Sequence, residues 1–179
     1  MKTVWSSIAA AVTIGALSFA FAATKSGQSE SVKVGGKTVS IAYSAPAVND
    51  RVGKLFGKDG QIGTDPTYPV WRAGANTATA LHTEADLDLG GLAVPKGDYS
   101  LWVNVANPAS WVLIVNKQTG QSGTDYDAKQ DLGSVKMTMS KPPAMVEQLK
   151  YTLSAAGGNK GKLQLAWENV AASVNFTVK

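Results

Sequence analysis

The chain is read as an all-β protein, a single antiparallel β-sandwich of jelly-roll-like or immunoglobulin-like kind. Three observations carry this. Apolar residues recur with period two in segment after segment. The segments are separated by turn chemistry such as Gly35-Gly36, Gly90-Gly91, Asn107-Pro108 and Gly157-Gly158-Asn159. No helical pattern long enough for a crossover connection lies between them, which argues against a parallel α/β sheet.

The strands follow in order. Val39, Ile41 and Tyr43 alternate with Ser40 and Ala42. Tyr99, Leu101, Val103 and Val105 alternate with Ser100, Trp102 and Asn104. Trp111, Leu113 and Val115 share one phase, and Val135, Met137 and Met139 another. Leu149, Tyr151 and Leu153, then Leu163, Leu165 and Trp167, then Val174, Phe176 and Val178 complete the series. Each set gives one apolar and one polar face, the pattern of antiparallel strands with one solvated side. Residues 46–69 break the pattern and read as a long irregular connection with a helical turn near Val52 to Phe56; residues 118–132 form a second such stretch.

Ahead of the domain, Lys2 precedes an apolar or small stretch from Val4 to Phe21, and Ala20-Phe21-Ala22 carries small residues where a signal peptidase reads. The expected organisation is a signal peptide over 1–22, cleaved after Ala22, a flexible linker over 23–31 and the β-domain over 32–179. The stretch from Ile8 to Phe21 is short for a bilayer span. The expected location is the periplasm or the extracellular medium, with no stable membrane insertion of the mature protein.

Composition narrows the chemistry. The 179 residues contain no Cys, which excludes disulfides, thiolate catalysis and thiolate-bound zinc. The formal charge is +4, with lysines scattered singly and no basic block, so no nucleic-acid partner is expected.

Candidate site residues stand out by type. Arg51 and Arg72 are the only arginines. A guanidinium makes fixed, bidentate contacts that an ammonium cannot, so each is a candidate clamp on a ligand carboxylate or phosphate. The preferred alternative is an internal clamp tying the long loop to the sheet. Trp71 and Asn76 flank Arg72; Asn76 either caps a turn or faces a ligand, and Gly74 supplies positive φ or close approach. His82, the single histidine, would share a strand face with Glu84 and Asp86, a spacing open to general-base or metal chemistry but equally to a solvated polar face. Asp125, Asp127 and Asp131 lack the spacing of a calcium loop. Trp102 falls on the polar phase of its strand, which makes it the candidate exposed ring for a sugar or partner.

Tyr43-Ser44-x-Pro46, Arg51, Leu55-Phe56-Gly57, and above all Trp71-Arg72-Ala73-Gly74-Ala75-Asn76 resemble the bacterial domain-of-unknown-function family DUF2911. Pro95-x-Gly97-x-Tyr99, Trp111-x-x-Ile114-x-Asn116 and Trp167-Glu168 continue the likeness. Tyr68-Pro69-Val70 departs from the family's usual Pro-Tyr-Gly. The resemblance implies an exported β-rich domain and no particular reaction.

The expected function is a non-catalytic binding or envelope-associated module, with Arg72, Asn76, Trp71, Arg51, His82 and Trp102 as ligand-facing candidates. No catalytic residue, metal or cofactor is assigned. The partner is a small polar ligand, a glycan or an envelope protein. The alternatives are a small hydrolase using His82 with a nearby acid, and a purely structural or interaction protein.

Overall fold

The structure is a computed structural model and describes residues 27–179. The expected signal segment and its cleavage site lie outside the described residues. Strands run as β1 (Gly27–Val34), β2 (Lys37–Ser44), β3 (Val70–Trp71), β4 (Thr79–Thr83), β5 (Leu87–Leu89), β6 (Leu92–Val94) and β7 (Gly97–Asn104). They continue as β8 (Val112–Asn116), β9 (Asp131–Lys136), β10 (Thr138–Ser140), β11 (Val146–Ala155), β12 (Lys160–Glu168) and β13 (Val170–Val178).

Two antiparallel sheets result, as the alternation requires. One has the order β1-β2-β4-β7-β8-β9, with β3 added beside β7; the other has the order β11-β12-β13-β5-β6, with β10 beside β13. The inward phase of each strand forms one continuous core that includes Ile41, Leu81, Leu101, Leu113, Leu149, Tyr151 and Leu165. At the margins β1 lies against β11 and β6 against β9, which covers strand edges that would otherwise invite pairing.

Three expectations change. Residues 27–31 are not linker: β1 begins at Gly27 and pairs with β2 from Gly27 opposite Ser44 to Val34 opposite Lys37. Its polar residues suit a strand at the edge of a sheet. The run from Val135 to Met139 is not one strand. It breaks at buried Met137, with β9 in the first sheet and β10 in the second, because the chain turns the corner there. The helical turn expected near Val52 to Phe56 lies instead at Ile62–Thr64, a single 3-10 turn. Among the described residues no helix is long and apolar enough to cross a membrane.

Candidate functional site

The recognised residues meet at one end of the sandwich, where residues 46–69, 72–78 and 117–130 converge. β3 is too short to hold itself, and it is fixed by Trp71. This indole is buried and stacks on Trp167 at 5.8 Å with an interplanar angle of 15°. Phe56 closes the group, 5.0 Å from Trp111, 5.9 Å from Trp167 and 6.1 Å from Trp71. The long loop is thus anchored by an aromatic plug, and Trp71 belongs to the core rather than to a ligand platform.

Arg72 leaves β3 and donates from Nη2 to Asp65 of the long loop. Asp65 also accepts from the Thr67 hydroxyl at 3.0 Å, so its carboxylate is fixed from two sides. On the other flank Gly123 presses against the arginine. A Cβ there would stand 2.1 Å from Arg72 Cδ, and the Gly123 N–H donates to the Asn76 carbonyl at 2.8 Å. Arg72 therefore joins residues 46–69 to residues 117–130.

The turn after Arg72 is set by backbone more than by side chains. Ala73 and Asn76 adopt left-handed φ of 51° and 63°. The Ala73 carbonyl accepts from Thr79 Oγ1 at 3.0 Å and from the Tyr151 hydroxyl at 3.1 Å, which ties the turn to the second sheet. Burial pushes the Tyr151 phenol well above the ordinary tyrosine value. Gly74 is needed for close approach: a Cβ there would sit 3.1 Å from Thr79 Oγ1 and 3.2 Å from the Ser44 carbonyl. Its expected positive φ belongs instead to Ala73 and Asn76. Asn76 is exposed and contributes its left-handed backbone and its carbonyl.

Arg51 also turns inward. Its Nε donates to the Val48 carbonyl at 3.1 Å and its Nη2 to the Ala47 carbonyl, both within its own loop. Two glutamates absent from the sequence-based candidates hold the same loop from the second sheet. Glu147 accepts the Asn49 N–H at 2.8 Å, and buried Glu168 accepts the Gly53 N–H. Spacing does not mark them, because their partners are backbone groups about a hundred residues away in sequence; the one signal is the Trp167-Glu168 pair of the family likeness, which points to Glu168.

The grouping of His82 with Glu84 and Asp86 does not form. β4 ends at Thr83, and the three side chains go to different neighbours. His82 Nδ1 pairs with Asp98 Oδ1 of β7 at 2.7 Å. Glu84 accepts the Thr38 N–H at 2.7 Å, and that bond holds its carboxyl below the usual carboxylate range. Asp86 accepts the Lys96 N–H at 2.8 Å. Ser40 lies directly across from His82, as Asp98 does on the other side, so Ser40, His82 and Asp98 form a row over three strands.

Trp102 is not exposed; its relative exposure is 0%. The polar phase of β7 is covered at Ser100 and Trp102 by residues 117–130, which make a second interior there. The Tyr126 ring packs on Trp102 at 5.0 Å, and Trp102 Nε1 donates to Ser100 Oγ at 3.0 Å. Gln121 Nε2 reaches the same hydroxyl at 2.9 Å. The nearby acids have separate tasks. Asp131 accepts from Tyr126 at 2.6 Å and from Asn116 at 2.8 Å, while Asp127 caps Lys129. Among the described residues no three such groups converge as a metal site needs.

A family model described as "Protein of unknown function (DUF2911)" matches residues 25–176. No curated protein and no solved structure matches the chain.

Proposed function

The chain belongs to the DUF2911 family, and from that premise we propose a non-catalytic, exported binding or envelope-associated module. Its Trp-Arg-x-Gly-Ala-Asn string serves as a folding clasp. The observation that carries this is the position of Arg72: its guanidinium is engaged with Asp65 and enclosed by Gly123. A clamp built for an outside ligand would keep that fork turned to solvent. Arg51 supports the same reading, because it closes on carbonyls of its own loop. Export rests on Lys2, the apolar stretch after it and Ala20-Phe21-Ala22.

Two measurements test the proposal. Cell fractionation with mass determination is expected to find an envelope or secreted species beginning at Ala23. Proteolysis of Arg72→Ala is expected to cut within residues 46–69 or 117–130 at protease levels that leave the wild type intact. An Arg72→Ala protein as resistant as wild type would sink the clasp.

Hydrolysis at His82 is the second reading, and the Ser40–His82–Asp98 row favours it. With Nδ1–H donating to Asp98, a neutral imidazole carries its lone pair on Nε2, the state a general base needs. Asp98 is 64% exposed, so water screens the pair and this reading ranks second. Activated-ester hydrolysis abolished by both His82→Ala and Ser40→Ala would promote it. Equal rates in all three proteins would remove it.

A further inference from the structure

We propose that the outer face of the β11-β12-β13 sheet binds an anionic polysaccharide, a chain bearing carboxylates between hydroxyl-rich sugar rings. The lysines look scattered in sequence, but the topology gathers them. Residues 132–179 hold six lysines against two glutamates, Glu147 and Glu168. Both glutamates are engaged by backbone N–H groups of the long loop, Glu147 by Asn49 and Glu168 by Gly53. Strand alternation places Lys150, Lys160 and Lys162 on the outer face, opposite in phase to buried Leu149, Tyr151, Leu163 and Leu165. Lys141 lies exposed at its margin, just after β10. Among the described residues no carboxylate pairs with any of these four ammonium groups. The acid on the same face, Asp88, is occupied by the Gly91 N–H and Lys179.

The spaces between the lysines decide the partner. Thr152 and Gln164 lie in register across β11 and β12, and Asn175 lies beside Lys162. Neighbouring strands are about 4.8 Å apart and alternate residues about 7 Å, so charged and neutral hydrogen-bonding groups are interleaved at sugar-sized intervals. A polymer with separated charges and many hydroxyls matches that chemistry. A lipid surface fits less well, because the exposed large hydrophobics, Val52 and Met145, lie in loops and not on these strands. Nucleic acid fits less well too, since both arginines are engaged internally and the strand tryptophans are buried.

This inference rests on the reading of the protein as a binding module, and the test separates the two. The purified protein is passed over immobilised polygalacturonate, with neutral dextran, anionic phospholipid vesicles and single-stranded DNA as parallel arms. The expected result is retention on polygalacturonate at low salt, released as salt screens the charges. Lys150→Gln/Lys160→Gln/Lys162→Gln is expected to weaken binding about tenfold or more, and Lys54→Gln/Lys58→Gln to leave it unchanged. Far-ultraviolet circular dichroism confirms that both variants fold. No retention, equal retention of the two variants, or tighter capture by vesicles or DNA would overturn the proposal. None of these outcomes touches the Arg72 clasp, which is read by proteolysis.

Discussion

Arg72 sits where two loops meet, so its energetic role follows from what it would leave behind. The Asp65 side chain is only 9% exposed. Truncating the arginine leaves that carboxylate with fewer donors in a place water reaches poorly, at a cost of about 2 kcal/mol. Arg72→Ala is therefore expected to lower the unfolding free energy by that amount, read as a drop of about 1 M in the urea midpoint. Arg72→Lys recovers part of it, since it keeps the charge but loses the planar fork. The matching Asp65→Asn variant and the double mutant give the coupling, and additive losses would mean that the pair contributes nothing. Residue type alone made Arg51 and Arg72 legible as geometric devices, because every other cation is a lysine. Their partners were not legible. Asp65 and the Val48 carbonyl are ordinary until the chain folds back, and Glu147 and Glu168 act on backbone groups that have no sequence signature.

At the scale of elements, alternation read the long apolar strands correctly, and it failed where a strand is polar or where a second layer covers a sheet. Trp102 has the phase of a solvent-facing residue, yet residues 117–130 bury it. Periodicity reports which face a residue takes and is silent on what covers that face. Short strands such as β5 and β6, three residues each, carry too little pattern to be seen. Polar β1 reads as linker until its partner β2 is known. The loop over Trp102 has a measurable consequence. Burial, and then the Asp131 carboxylate it donates to, push the Tyr126 phenol far above its ordinary value. Tyr43, Tyr99 and Tyr151 are raised as well, each chiefly by burial. A folded phenol then keeps its proton where an unfolded one loses it. The stability is fully present below the ordinary tyrosine value of about 10 and is lost as pH rises from there towards the folded values. Melting temperature is expected to fall steadily above that pH. Tyr126→Phe is expected to lower stability by about 1 kcal/mol at neutral pH, through the lost hydrogen bond, and to flatten the alkaline decline. An unchanged alkaline slope would show that the Tyr126 hydroxyl is not held by the loop.

For the whole molecule the governing fact is that neither sheet is left with a bare margin. β1 lies against β11 and β6 against β9, so the two sheets behave as a flattened, nearly closed tube. β1 is the exposed part of that closure. Most of its residues are polar and exposed, and its hold on the fold comes from an eight-residue ladder with β2, from buried Val34 and from its packing against β11. Its main contribution is therefore to cover β2, whose inward side chains Val39, Ile41 and Tyr43 are core residues. Deleting Gly27–Val34 removes little apolar burial but bares a strand of β-branched and aromatic residues with its backbone donors and acceptors unpaired. Such an edge templates pairing with another chain. The deletion is expected to keep most of the far-ultraviolet β-signal, to melt several degrees lower and to associate beyond the state of the full chain. Light scattering coupled to gel filtration reads the last effect. If the shortened protein keeps the size of the full chain, β2 is protected by something other than β1, and the covered margin is incidental to the fold.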